Sequence, residues 1–115
     1  MNTSEAAIAA LSALAQEHRL AAFRLLVEAG PVGLAAGDIA ERLGLPPSSL
    51  SFHLAHLERA ALVGKTRQGR TLLYRARFET ARGLADYLME NCCGGESCAA
   101  VDQAPAHRQA KGAFL

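Results

Sequence analysis

The chain has 115 residues, 50% hydrophobic and 20% charged, with 5% aromatic and no Trp. That length sustains one compact domain, the apolar content excludes a disordered chain, and no run approaches the about 18 apolar residues of a membrane span. The net charge of +1 is unevenly spread: residues 59–82 carry Arg59, Lys65, Arg67, Arg70, Arg75, Arg77 and Arg82 against Glu79 alone, while both flanks are net acidic. Such a segment is either a localised anion-binding surface or a solvated hairpin.

A Thr3-Ser4 capping signal opens a first amphipathic helix with Ile8, Leu11 and Ala15 on its apolar side. The apolar run Ala6–Ala15 is no export signal, since Glu5 precedes it and a basic leader is missing. A second helix carries Leu20, Phe23 and Val27 and stops at Gly30-Pro31. A third, over Ala36–Leu43, ends at Gly44, and Leu45-Pro46-Pro47 makes a tight connection with Ser48 placed to cap the next helix. That fourth helix, over Ser48–Ala61, has Leu50, Leu54, Leu57 and Ala61 on one narrow stripe, with Ser48, Ser49, Phe52, His56 and Arg59 opposite.

Strands Val63–Arg67 and Thr71–Phe78 flank a turn at Gln68-Gly69-Arg70. Leu72, Tyr74, Ala76 and Phe78 alternate with Thr71, Leu73, Arg75 and Arg77, so one face is buried and the other largely basic. The last helix, over Glu79–Asn91, aligns Ala81, Leu84, Ala85 and Leu88, and Cys92 continues that stripe. All three cysteines, Cys92, Cys93 and Cys98, lie in this final stretch. An odd number excludes a purely intrachain disulfide framework, and a chain without an export signal reads as cytoplasmic and reducing. Clustered thiols there point to metal binding or redox chemistry. From Gly94 onward no periodicity remains, which reads as a tail. The natural division is a domain over residues 1–91 and a cysteine-bearing segment over 92–115.

The expected fold class is mainly α with a small β-hairpin, in the order ααααββα, a winged helix–turn–helix. In that arrangement Ser48, Ser49 and Ser51 let the second helix approach base edges. His53 and His56 offer donors or acceptors, with a local structural role equally open for His53, and Phe52 meets a thymine methyl. Lys65, Arg67 and Arg70 supply phosphate contact without sequence information.

Four segments make a resemblance specific: Leu14-Ala15-Gln16-Glu17-His18-Arg19-Leu20, Asp38-Ile39-Ala40-Glu41-Arg42-Leu43-Gly44, the run from Ser48 to Leu57, and Gly69-Arg70-Thr71-Leu72-Leu73-Tyr74-Arg75. Together, across roughly residues 5–90, they resemble the ArsR (ArsR/SmtB) family of small winged-helix repressors of metal and metalloid resistance. The resemblance implies a homodimer built from the first and last helices, double-stranded operator DNA as partner, a recognition helix at Ser48–Ala60, and metal-responsive release. Many arsenic-responsive members place a cysteine pair before the turn, where this chain has Val32-Gly33-Leu34-Ala35-Ala36. Zinc-responsive members use Asp, His and Glu along the last helix, which here offers Asp86 and Glu90 but no His.

What remains is Cys92, Cys93 and Cys98, similar to the arsenic site that some members carry at the end of this helix. Three soft thiolates suit As(III) as inducer, and Sb(III) nearly as well. Gly94-Gly95 lets the chain double back toward Cys98. Cadmium or lead would recruit Glu96 or His107, and a thiol redox sensor through Cys93 and Cys98 is a further alternative. A thiol enzyme fits poorly, because the cysteines sit in a Gly-rich segment beside no Lys or Arg. No organic cofactor is implied.

Overall fold

The computed structural model describes residues 3–95. Helix α1 spans Ser4–Leu14, α2 Glu17–Ala29, α3 Ala36–Leu43, α4 Pro47–Arg59 and α5 Phe78–Leu88. Strands β1 (Leu34–Ala35), β2 (Val63–Gln68) and β3 (Thr71–Ala76) form one antiparallel sheet in the order β1-β3-β2. This is the winged helix–turn–helix expected, with one strand more. The two-residue β1 pairs Leu34 with Tyr74 and Ala35 with Leu73; a segment that short carries no alternation to read.

Local chemistry accounts for most boundaries. Thr3 caps α1 by accepting from the Ala6 amide at 3.1 Å, and Gln16 caps α2 by accepting from the Arg19 amide at 2.9 Å. Gly44 takes the left-handed conformation (φ 66°) that closes α3. The cap expected at Ser48 is not used. Proline occupies the first helical position at Pro47, where a missing N–H costs nothing, and Ser48 lies inside the first turn. Between β2 and β3 the register pairs Gln68 with Thr71, leaving a two-residue turn with glycine first, Gly69 at φ 63°.

The core is built from Leu26, Ile39, Leu50, Leu54, Leu57, Leu62 and Val63, all fully buried, which joins α2, α3, α4 and β2 into one cluster. Of two expected apolar faces, that of α1 turns outward and that of α2 is rotated, keeping Phe23 inside. Helix α1 buries Ala7, Ala10 and Ala13, leaving Ile8 65% and Leu11 42% exposed. Alanines permit close approach to the body, and the larger side chains at the next positions, about 100° round the helix, point outward. On α2 the buried set is Ala22, Phe23 and Leu26, with Leu20 and Val27 exposed. Phe78, expected at the end of a strand, begins α5 and is partly exposed.

Helix α5 also ends earlier than its stripe suggests. Its last residue is Leu88, Asn91 adopts φ 60°, and Cys92–Gly95 form a separate turn with Cys93 at φ 56°. Cys92 therefore does not continue the Leu84 stripe.

Gly33 and Gly30 share a φ of 77° with ψ near ±180° (−170° and −162°), a region essentially reserved for glycine. They differ in surroundings. A Cβ on Gly33 would overlap the Tyr74 carbonyl oxygen, whereas one on Gly30 meets nothing within 4 Å. Gly30→Ala should therefore lose only the backbone term, about 1–3 kcal/mol. Gly33→Ala should lose clearly more, because β1 must also leave β3. Chemical denaturation of the two variants side by side checks this ordering; equal losses would mean that the close approach carries no weight.

Candidate nucleic-acid interface

Helices α3 and α4 meet across Gly44-Leu45-Pro46, with the Leu45 amide donating back to the Ala40 carbonyl at 3.0 Å. Because Leu50, Leu54 and Leu57 all point inward, the remaining α4 side chains divide by angle. Ser48, Ser49, Ser51 and Phe52 are exposed, Phe52 at 63%. A phenylalanine that far from any core is free to meet a partner.

His53 and His56 do not join that face. Both are half-buried on the flank turned toward α1 and α2. The Arg19 Nη1 reaches His53 Nδ1 at 3.5 Å, while the Arg19 Nε donates to the Ala13 carbonyl at 2.7 Å. Arginine only donates, so this contact is a hydrogen bond in the tautomer whose Nδ1 accepts and whose proton is on Nε2. The His18 ring lies 5.7 Å from that of His53, and Phe52 stands edge-on to it at 5.8 Å. His56 borders a small hollow with Ala9, Ser12, Arg59 and Ala60, and its Nδ1 is buried without a hydrogen-bond partner. Helical spacing alone puts His56 opposite the leucines; the helices packed against that flank decide otherwise. Spacing also misses Arg19, whose partner lies 34 positions away and leaves no local pattern to read.

The wing charges are likewise sorted. Lys65 sits at the hairpin root and pairs with Glu58 of α4 at 3.6 Å, which offsets part of the charge expected for phosphate. Arg67 and Arg70 flank the tip, exposed, and make no ion pair among the described residues.

Beyond α5, the Cys92 and Cys93 Sγ atoms lie 3.6 Å apart. That is well beyond the about 2.05 Å of a disulfide, so these are two separate thiols. The left-handed Asn91 and Cys93 bring them to one side of the turn, with Cys92 half-buried and Cys93 exposed. Cys98, Glu96 and His107 lie outside the described residues. Among the described residues there is no cluster of three or more metal-ligating side chains, and no helix is long and apolar enough to cross a membrane.

Burial lowers the pKa of His53, with Arg19, His18 and His56 adding repulsion, and burial followed by Arg19 and Arg59 lowers that of His56. Both rings are thus neutral in the fold at pH values where an unfolded chain binds protons. Stability is complete above the ordinary histidine value and falls as pH drops through it toward the lower folded value. Thermal melts from about pH 8 to about pH 5 should show a decline that His53→Gln with His56→Gln flattens. An unaltered decline in the double variant would place the titration elsewhere.

Comparison with known proteins agrees with this geometry. A helix–turn–helix domain model matches residues 14–64. The transcriptional activator HlyU of Vibrio cholerae is 31% identical over 90 residues, 78% of this chain and 81% of HlyU. An ArsR-like transcriptional regulator from Rhodococcus sp. RHA1 superposes with a TM-score of 0.72 at 25% identity, covering 90% of this chain and 95% of that one. A homodimeric winged helix–turn–helix DNA-binding domain from Mycobacterium bovis, a possible ArsR-family regulator, gives 0.62 at 27% identity, covering 74% and 83%. A leucine-anchored α4 after a tight turn, a charged hairpin beside it, and these relatives lead to one conclusion: the chain belongs to the ArsR family of winged-helix transcriptional regulators.

Proposed function

We propose that this chain is a homodimeric repressor of an arsenic-resistance operon, released from its operator when As(III), or Sb(III), binds Cys92, Cys93 and Cys98. The observation that carries the DNA half is the exposed short-side-chain face of α4, with Ser48, Ser49, Ser51 and Phe52, beside the exposed Arg67 and Arg70. Serines let the helix sit deep in a major groove, and the two arginines hold phosphate. His53 and His56 act one step back, by fixing the angle of α4 on the body. Lys65 keeps the hairpin against α4.

Dimerisation is supported by α1 and α5. Ile8 and Leu11 on α1, and Leu88 and Met89 at the end of α5, are large apolar side chains left in solvent, as a surface awaiting a second copy would leave them. The thiol pair at 3.6 Å supports the inducer. Two adjacent sulfurs already face one another, and a trivalent metalloid needs one more. Binding there, next to the dimer helices, would change the spacing of the two α4 helices. Couplings of this kind shift affinity about 5- to 150-fold.

Fluorescence anisotropy of a labelled duplex from upstream of the gene tests both halves. Under reducing conditions arsenite should release the protein, zinc should not, and Cys92→Ser, Cys93→Ser or Cys98→Ser should bind DNA normally but resist release. Release by cadmium or by peroxide in place of arsenite would shift the inducer to those alternatives. HlyU is named an activator, so repression itself is read separately by in vitro transcription.

Two further outcomes are expected. Arg67→Ala with Arg70→Ala should weaken binding evenly across sequences and reduce the salt slope by about two units per subunit. Ile8→Glu with Leu11→Glu should yield monomers by sedimentation and lose operator affinity. A dimer that survives both charges would remove α1 from the interface.

A further inference from the structure

The basic segment holds more charge than the hairpin tip uses. On the outer face of the sheet Thr71, Leu73 and Arg75 of β3 stand opposite Gln68, Thr66 and Gly64 of β2. Gly64 brings no side chain to the position facing Arg75. The space this leaves is edged by the Arg77 stem and belongs to a cavity of about 380 Å³ whose lining includes Pro31, Gly64, Lys65, Arg75, Arg77, Phe78 and Glu79. A smaller hollow of about 90 Å³ adjoins it, sharing Pro31 and Arg75 and edged by Val32 and Leu73.

Charge and apolar surface are combined there. Arg75 makes no ion pair among the described residues, and Arg77 reaches Glu79 only at 3.8 Å, beyond hydrogen-bonding range. Arg75, in β3, and Arg77, just past its end, both line the cavity, and an anion between them removes the repulsion of like charges. Phe78 and Val32 remain exposed at the rim, beside Pro31. The volume falls at the lower end of ordinary small-ligand sites.

We infer that this hollow is a binding site for a small carboxylate with an apolar body, its carboxylate held by Arg75 and Arg77 and its body laid on Phe78 and Pro31. A bare inorganic anion would leave the apolar rim unused, and a neutral molecule would leave Arg75 unpaired and Arg77 with only its loose contact to Glu79. Arg75 lies on β3 and Phe78 opens α5, so an occupant spans the wing and a helix of the proposed dimer interface. Any effect on operator release rests on that proposed function; binding itself does not.

The test is a ¹H–¹⁵N NMR titration of the full chain with benzoate, cyclohexanecarboxylate, benzamide and inorganic phosphate. The carboxylates should give saturable shifts at Gly64, Arg75, Arg77 and Phe78. Benzamide should give none, and phosphate should bind about tenfold more weakly for want of buried apolar area. Gly64→Val fills the gap and Arg75→Gln removes one of the two cations, so each should abolish or greatly weaken the shifts at unchanged melting temperature. Gly64 has no positive φ, and a Cβ there would meet the flexible Arg77 stem only at normal contact distance, 3.7 Å; Gly64→Ala, which adds that Cβ alone, is the control for the fold.

Absence of shifts with both carboxylates would overturn the inference, as would equal binding of benzamide or undiminished binding by Gly64→Val. Phosphate binding as well as benzoate would reduce the hollow to a general anion patch. A salt slope for DNA lowered by about one unit per subunit in Arg75→Gln, with no carboxylate binding, would make it a phosphate seat instead.

Discussion

The burial of Leu50, Leu54 and Leu57 against Leu26, Ile39 and Leu62 is the constraint on which the rest of the molecule depends. Three leucines within two turns fix the rotation of α4 about its axis. Each is worth about 2–5 kcal/mol against truncation to alanine, far more than any single contact on the other faces. Once that rotation is set, no other residue of the helix is free to choose its surroundings. Ser48 and Phe52 are pushed to solvent, Glu58 toward Lys65, and His53 and His56 toward Arg19 and α1.

Much of this is legible in the sequence because it is local. The span of α3, the glycine that stops it, the α4 stripe and the hairpin turn all come from spacings of a few residues. The illegible part depends on contacts between distant segments. The burial of α1 through Ala7, Ala10 and Ala13 contradicts the usual preference for large apolar side chains inside. A periodicity count finds an apolar face without knowing whether this subunit or another covers it. Helix α5 reads too long for a similar reason: the stripe continues in the letters, while Asn91 and Cys93 have turned left-handed in the backbone.

The candidate site divides along the same line. That a basic segment comes after a helix with a small polar face is read directly from the chain. Which cations remain available is not. Lys65 is partly neutralised by Glu58, Arg67 and Arg70 stand exposed at the tip, and Arg75 looks out from the other face of the sheet, with Arg77 just past the strand's end. The same net charge is thus divided among three places, and within the hairpin the strand register separates them. The thiols are legible as a cluster, and the turn after α5 adds that two of them already face one another.

Arg19 has a mechanical consequence. Its guanidinium holds a carbonyl in the last turn of α1 at one edge and the His53 ring of α4 at the other. A guanidinium is flat and stiff, so its two edges cannot move apart. If α1 tilts, the tilt reaches α4 as a pull on His53, or else the longer and weaker of the two contacts breaks. The pivot of the DNA-facing helix is in this sense shared with the helix whose large apolar side chains face outward. One planar side chain acts as the crank between them.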